Sequence, residues 1–217
     1  MTRRDFTLSI VIPVRPPDEG KSRLAPALDA AARAELVERL FRHALGVALA
    51  AAPAGGVHVV SRSPQLLALA AAAGATPIPE QGRGLNPALA QAAATCDPQR
   101  PFMALSADLP LVSLSDLHQA AQALADADVV VAADRAGTGT NALLLRRPGL
   151  IAPGFGDASL ARHRQRAGAA GLRFAVVSLP GLAADLDEPE DLVLLDQASR
   201  GGCHGPATST QRALPRA

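Results

Sequence analysis

The sequence predicts an α/β domain with a mainly parallel central sheet covered by helices on both faces. Three observations predict it. Short apolar runs alternate with longer segments of helical period along most of the 217 residues. Runs such as 8–14 and 129–133 are continuous rather than alternating, as expected for strands buried on both faces. Gly and Pro punctuate the boundaries between them.

Each element follows from its local residues. Residues 8–14 form the first strand, and the loop RPPDEGKSRLAP follows. Residues 29–52 read as a long helix, because Leu36, Leu40, Ala44 and Val47 recur at helical spacing. Gly55 and Gly56 break it. Residues 57–61 are a second strand, 64–73 a helix closed by Gly74, and 76–79 a short edge strand. Residues 86–95 are an Ala-rich helix with Asn86 as a natural N-cap. Residues 102–106 are an apolar strand running into Ala107-Asp108-Leu109-Pro110. Ser113 is placed to cap a helix over 113–127, with Asp116 in its first turn. Strands at 129–133 and 141–145 flank the turn-like DRAGTGT. Residues 157–170 are a basic helix ended by Gly171, and 174–179 a strand. A last helix covers 189–198, with Pro189 near its start. Residues 1–198 thus make one domain. From 199 to 217 the apolar period ends and Gly, Pro, Ser and Thr accumulate, which predicts a disordered tail.

Composition excludes several functions. With 21 basic and 20 acidic side chains the net charge is +1, and no basic block stands out. That argues against a dedicated nucleic-acid binder. Trp and Tyr are absent and five Phe supply all the aromatics, so stacking platforms for single strands are missing as well. The core must be aliphatic, since 47 residues are Ala and most other apolar residues are Leu, Val or Ile. No apolar run reaches about 18 residues, so no membrane span is expected. MTRRDFTLSIVIPV reads as the approach to a strand and not as a signal peptide. Cys96 and Cys203 stand alone and far apart, which fits a reducing cytoplasm with neither a disulfide framework nor a zinc site. Twenty of the basic residues are Arg; the one Lys, Lys21, lies in the loop after the first strand.

In an open parallel sheet, ligands bind beyond the carboxyl ends of the strands. Three loops there carry polar clusters. VRPPDEGKSRL puts Arg15, Lys21 and Arg23 within nine residues, which suits a polyphosphate or, equally, a solvated basic loop. It lacks the P-loop spacing. Asp108 closes a strand, where an Asp can ligate magnesium or cap the next turn. In LAADLDEPEDL, Asp185 and Asp187 stand at i and i+2, so both face one side of an extended chain, with Leu186 on the other. Two such carboxylates repel unless a cation sits between them. For Asp187 alone, capping the helix that starts at Pro189 is the alternative.

DRAGTGTN offers an anion-binding nest or a hairpin turn. PGFGDAS leads into the basic helix and could present its N-terminus and Ser159 to a phosphate or carboxylate, near Arg162, His163 and Arg164. His163 by itself reads as a surface residue. GRGLNPAL enters another helix, with Asn86 as N-cap or base-edge reader. Nothing resembles a Ser-His-Asp triad, a zinc motif or an EF-hand.

The order of these motifs is more specific than any one of them. IPVRP…GKSRL, GLN-x-AL, ADLPL, DR-x-GTGTNALLLR, FG-x-x-S-x-x-RH and a final D-x-D-x-PEDL together resemble one family. It is the guanylyltransferase family of deazaflavin (factor 420) coenzyme biosynthesis, which acts on 2-phospho-L-lactate, phosphoenolpyruvate or 3-phospho-D-glycerate. The resemblance spans residues 8–196, and GTGTNALLLR and the final acidic motif are its most diagnostic pieces.

The resemblance implies a Rossmann-like nucleotidyltransferase fold, similar to those of the sugar-nucleotide and molybdenum-cofactor enzymes. It implies that the phosphate of a small phospho-acid attacks the α-phosphorus of GTP and that pyrophosphate leaves. Bacterial members use phosphoenolpyruvate or 3-phospho-D-glycerate, and the Ala- and Arg-rich composition favours that pair over 2-phospho-L-lactate. By the same resemblance, Asp108, Asp185 and Asp187 bind magnesium. Lys21 and Arg23, with Arg15, hold the triphosphate, and Lys21, Arg23 and Asp108 serve catalysis. Asn86 lies near the nucleotide, and Thr140, Gly156 and Ser159 hold the phospho-acid. One departure is Arg15, where members commonly carry Lys; a guanidinium presents its donors differently. An apolar sheet edge could support a homodimer. Two other readings compete. GTGTNALLLR argues against a molybdenum-cofactor-type nucleotidyltransferase. The three aspartates and the basic loop weigh against a non-catalytic nucleotide-binding protein.

Overall fold

In the computed structural model, which describes residues 7–201, seven strands form one sheet. They are β1 (Ser9–Pro13), β2 (Val57–Ser61), β3 (Thr76–Pro79), β4 (Phe102–Leu105), β5 (Val129–Ala133), β6 (Thr140–Leu145) and β7 (Phe174–Val177). The helices among the described residues are α1 (Ala30–Ala51), α2 (Pro64–Ala72), α3 (Leu85–Ala93), α4 (Leu114–Gln122), α5 (Ser159–Ala169), α6 (Pro180–Ala183) and α7 (Val193–Gly201). The spatial strand order is β3-β2-β1-β4-β6-β5-β7. Every pairing is parallel except those of β6, which runs against β4 and β5. The expected mainly parallel α/β sheet is present.

Strand alternation sends neighbouring side chains into two cores. Ile10 and Ile12 of β1 join Phe41 and Leu45 of α1 on one face. Val11 joins Leu89 of α3 and Phe102 on the other. Burying each such side chain is worth about 1.5–3 kcal/mol. A third, smaller cluster packs Leu24, Leu36, Leu40 and Leu186 together. It seats two loops, after β1 and after α6, on one flank of α1.

Several boundaries differ from expectation for local reasons. Gly84 caps α3 at φ +115, a conformation open to glycine, and Asn86 lies inside the first turn. The strand after Gly171 stops at Val177, because Pro180 starts the short α6. DRAGTGT is the hairpin turn between β5 and β6; Asp134 Oδ1 accepts the Thr138 N–H at 2.9 Å and holds it. The final helix runs to Gly201, past the expected end at 198. The rest of the predicted tail, 202–217, lies outside the described residues, as does Cys203. Among the described residues, no helix is long and apolar enough to cross a membrane.

The topology fixes where a site can form. From β1 the chain steps outward through β2 to β3, then returns to place β4 on the other side of β1. Connections leave β1 and β4 in opposite directions and open a crevice at their carboxyl ends. The loop after β1 carries Lys21, and the loop after β4 carries Asp108.

Candidate active site

Lys21 is the centre of that crevice. Its Nζ donates to Asp108 Oδ2 at 2.7 Å and to Asp187 Oδ1 at 2.8 Å. The Lys21 side chain is only 8% exposed, against 30% for Asp108 and 45% for Asp187. Burial works against its charge, but attraction to the two carboxylates prevails, and the Lys21 pKa is raised. Its backbone sits in the left-handed region at φ +54, which costs a non-glycine residue about 1 kcal/mol. The loop can lie this close to α1 because residue 20 is glycine; a Cβ there would stand 2.6 Å from Cγ2 of Val37.

The final acidic motif is fastened to the same point. The Leu186 N–H donates to the Asp108 carbonyl at 3.1 Å, and the fully buried Leu186 side chain anchors the segment. Asp187 does not cap the 3-10 turn that follows, Pro189–Leu192, whose N-cap is Glu188. Asp191 Oδ2 collects the N–H groups of Asp187 and Glu188 at 3.0 and 2.9 Å, which leaves the Asp187 carboxylate for Lys21. Asp185 turns to Asn141 instead, accepting from Nδ2 at 3.3 Å. Burial raises the Asp185 pKa, and the charges of Asp108 and Asp187 add to the rise, against the opposing Asn141 bond.

These side chains open into a cleft of about 770 Å³. Arg15 and Arg23 line it, with Gly156 and Glu80. Arg23 makes an exposed ion pair with Glu188 at 3.3 Å, a contact of little energetic weight. Arg62 pairs with Glu19 and lies 3.7 Å from Glu80 Oε2, tying together the loops that follow β1, β2 and β3.

Of the residues predicted to hold the acceptor, Gly156 lines the cleft. Thr140 and Ser159 are buried and do not line it. His163 is fully buried, not at the surface, and shares the inward face of α5 with Ser159 and Ala167. Its Nε2 accepts the Gly154 N–H at 2.9 Å, so Nδ1 carries the proton and donates to Thr140 Oγ1 at 3.1 Å. Burial and the nearby Arg166 and Arg162 push its pKa down to about 4. The arginines of α5 are likewise spent on the protein. Arg166 donates to the carbonyls of Ala152 and Pro153, and Arg162 to those of Gly154 and Asp157. Asn86 meets Phe155 with both ends of its amide, Oδ1 to the N–H at 2.7 Å and Nδ2 to the carbonyl at 3.1 Å.

The site thus gathers Lys21, Asp108 and Asp187, with Asp185 alongside. Asn141 and the Arg62–Glu19–Glu80 group are additions that the sequence did not single out. An i, i+4, i+8 spacing of Ser159, His163 and Ala167 was the available signal for a buried His163. Among the described residues, no three His, Cys, Asp or Glu side chains form a group able to hold a metal ion. Asp108 and Asp187 still present two hard oxygen donors to one cation, and magnesium is commonly held by one or two carboxylates plus substrate phosphates. Cys96 is buried, with its thiol pushed up to about 11, and takes no part.

Residues 8–203 match a family model described as guanylyl transferase, CofC like. The chain belongs to the CofC-like guanylyl transferase family. It is 38% identical over 191 residues to a phosphoenolpyruvate guanylyltransferase of Chloroflexus aggregans, covering 85% of this chain and 95% of that protein. It is 40% identical over 190 residues to a 3-phospho-D-glycerate guanylyltransferase of Phenylobacterium zucineum, covering 84% of this chain and 85% of that protein. Among solved structures, a nucleotidyl transferase from Methanothermobacter thermautotroptrophicus superposes with a TM-score of 0.61 at 15% identity, covering 90% of this chain and 99% of that one. As a member of the CofC-like family, the chain is a nucleotidyltransferase. The family match includes every residue of the cleft described above.

Proposed function

We propose that the protein transfers the guanylyl group of GTP to a small phospho-acid, 3-phospho-D-glycerate or phosphoenolpyruvate ahead of 2-phospho-L-lactate, in factor 420 coenzyme biosynthesis. The observation that carries this is a buried lysine held between two aspartates at the switch point of a nucleotidyltransferase sheet. A phosphate oxygen of the acceptor forms a bond to the α-phosphorus. The bond from that phosphorus to the bridging oxygen of the β-phosphate breaks, and its electron pair leaves with pyrophosphate. The attacking oxygen is already anionic, so the reaction asks for positioning and charge neutralisation rather than a general base.

Each group then has a task. Lys21 meets the triphosphate as a compact point charge, with Arg15 and Arg23 beside it. Asp108 and Asp187 are the residues that would hold magnesium, with Asp185 adjacent. Magnesium, when bound, neutralises phosphate charge and orients the phosphates for in-line attack. Gly156, with the buried Thr140 and Ser159, receives the phospho-acid.

The test is direct. The protein is incubated with magnesium, one nucleoside triphosphate and each phospho-acid in turn, and pyrophosphate and product mass are measured. GTP with 3-phospho-D-glycerate or phosphoenolpyruvate is expected to give pyrophosphate and the matching guanylated diphosphate. No product with any pairing overturns the proposal.

A further inference from the structure

Asn86 was expected near the nucleotide, but its amide is committed elsewhere. It stands in the first turn of α3, next to Gly84 and Leu85, which line one side of the cleft. Phe155, whose N–H and carbonyl it binds, immediately precedes Gly156, which lines another part of the cleft. Two hydrogen bonds to the backbone of one residue work like a rung of an antiparallel ladder. They fix both the height and the tilt of the peptide.

The segment 152–158 depends on such outside help. It has no regular structure, and Gly156 and Ala158 sit at φ +109 and φ +51. Its other side-chain clamps are His163, Arg162 and Arg166, all on α5. Among the described residues, Asn86 is the hydrogen-bonded link from the opposite side, the α3 side. Without it only the apolar packing of Phe155 against Ala88 and Leu89 would hold the segment on the α3 side, and Gly156 could shift relative to α3.

We infer that Asn86 is a positioning residue for the phospho-acid acceptor. It sets the place of Gly156 across the cleft and does not read the nucleotide base. This rests on the proposed guanylyl transfer and deepens it: the strap assigns to α3 a part in acceptor recognition. The same contact fixes the distance between Gly156 and the cleft-lining start of α3.

Steady-state kinetics on the full chain test it, with GTP and acceptor varied separately and melting followed alongside. Asn86→Ala is expected to raise the acceptor KM about tenfold or more, as the loss of two hydrogen bonds allows. The KM for GTP should stay within about twofold, and kcat at saturating acceptor within about threefold. Asn86→Asp keeps an acceptor for the Phe155 N–H but faces its carbonyl with a carboxylate. It should fall between wild type and Asn86→Ala, and it serves if the alanine variant does not fold. A rise in the GTP KM with an unchanged acceptor KM overturns the inference in favour of base reading. Equal losses in both, together with a large drop in melting temperature, overturn it in favour of a purely structural role. If the wild-type protein makes no guanylated product, the functional reading fails and takes this inference with it. If wild type is active and the acceptor KM does not move in either variant, the inference alone fails.

Discussion

The ammonium of Lys21 lies 2.7 Å from the carboxylate of Asp108, joining loops 87 residues apart. The chain keeps one lysine among 21 basic residues, and the fold buries it at this contact. A lysine suits the place: its ammonium is a compact point charge on a thin stem, which two converging carboxylates meet end-on, whereas a guanidinium presents a wider, planar fork of donors.

Replacing Lys21 should therefore hurt in a characteristic way. Lys21→Met is expected to lower pyrophosphate release by about 100-fold or more, the scale seen when one charge-stabilising group is lost. Lys21→Arg should recover little of it. Stability should change modestly, since Asp108 and Asp187 are partly exposed and can regain water. Pyrophosphate assays paired with thermal melts read both. Wild-type turnover in Lys21→Met returns Lys21 to a structural ion pair.

Asn141 is the residue that sequence reading passed over. Its Nδ2 donates to the Leu182 carbonyl at 3.0 Å and to Asp185 at 3.3 Å, and it is buried. Asn141→Leu leaves that carbonyl unpaired and Asp185 without its donor. A loss of about 1–3 kcal/mol is expected in denaturant unfolding, with activity reduced as well. Asn141→Asp should be worse still, because it sets a second carboxylate against Asp185. Unchanged midpoints for both variants would contradict this account of Asp185.

His163 predicts a pH dependence. Its folded pKa is about 4, below the ordinary value of 6.5. Between those values the unfolded chain binds the proton and the folded one does not, so stability rises with pH across that window. The contribution is complete above about pH 6.5 and is lost as the pH falls toward 4, by up to about 3 kcal/mol. The structural reason is that a protonated Nε2 would face the Gly154 N–H at 2.9 Å. Urea unfolding at pH 7 and pH 5 should show the loss in wild type and a flatter profile in His163→Gln.

Gly181 tests the packing of α6. A Cβ there would stand 2.6 Å from the Leu111 carbonyl and strike the Asp116 carboxylate that caps α4. Gly181→Ala should cost about 1–3 kcal/mol of stability by overpacking. An unshifted melting temperature would mean that this contact is loose.

Much of the fold was legible because its strands are short, continuous Val- and Ile-rich runs, as at Ile10, Val11 and Ile12, and such runs mean burial on both faces. The Ser113–Asp116 cap was legible because two residue types at a fixed local spacing, N-cap and N3, carry its whole geometry. The antiparallel sense of β6 was not, because an apolar run such as 142–145 has no direction. Lys21, Asp108, Asp185 and Asp187 could be picked out by their place after apolar runs, but their partners could not. Nothing in the sequence pairs Lys21 with Asp187 across 166 residues, or Asn86 with Phe155 across 69. Those contacts follow from strand order, which only the folded chain supplies.

The proposed guanylyl-transfer centre is the Lys21–Asp108–Asp187 cluster. A single-turnover assay of Asp108→Asn tests it most directly, with GTP, magnesium and 3-phospho-D-glycerate or phosphoenolpyruvate, following pyrophosphate. The substitution keeps the size of the side chain and removes its charge. A drop of about 1,000-fold is expected in a protein that melts close to wild type, the scale that follows when a charged partner of the phosphates' counter-ions is lost. Pyrophosphate release near the wild-type rate in a folded Asp108→Asn protein would contradict it.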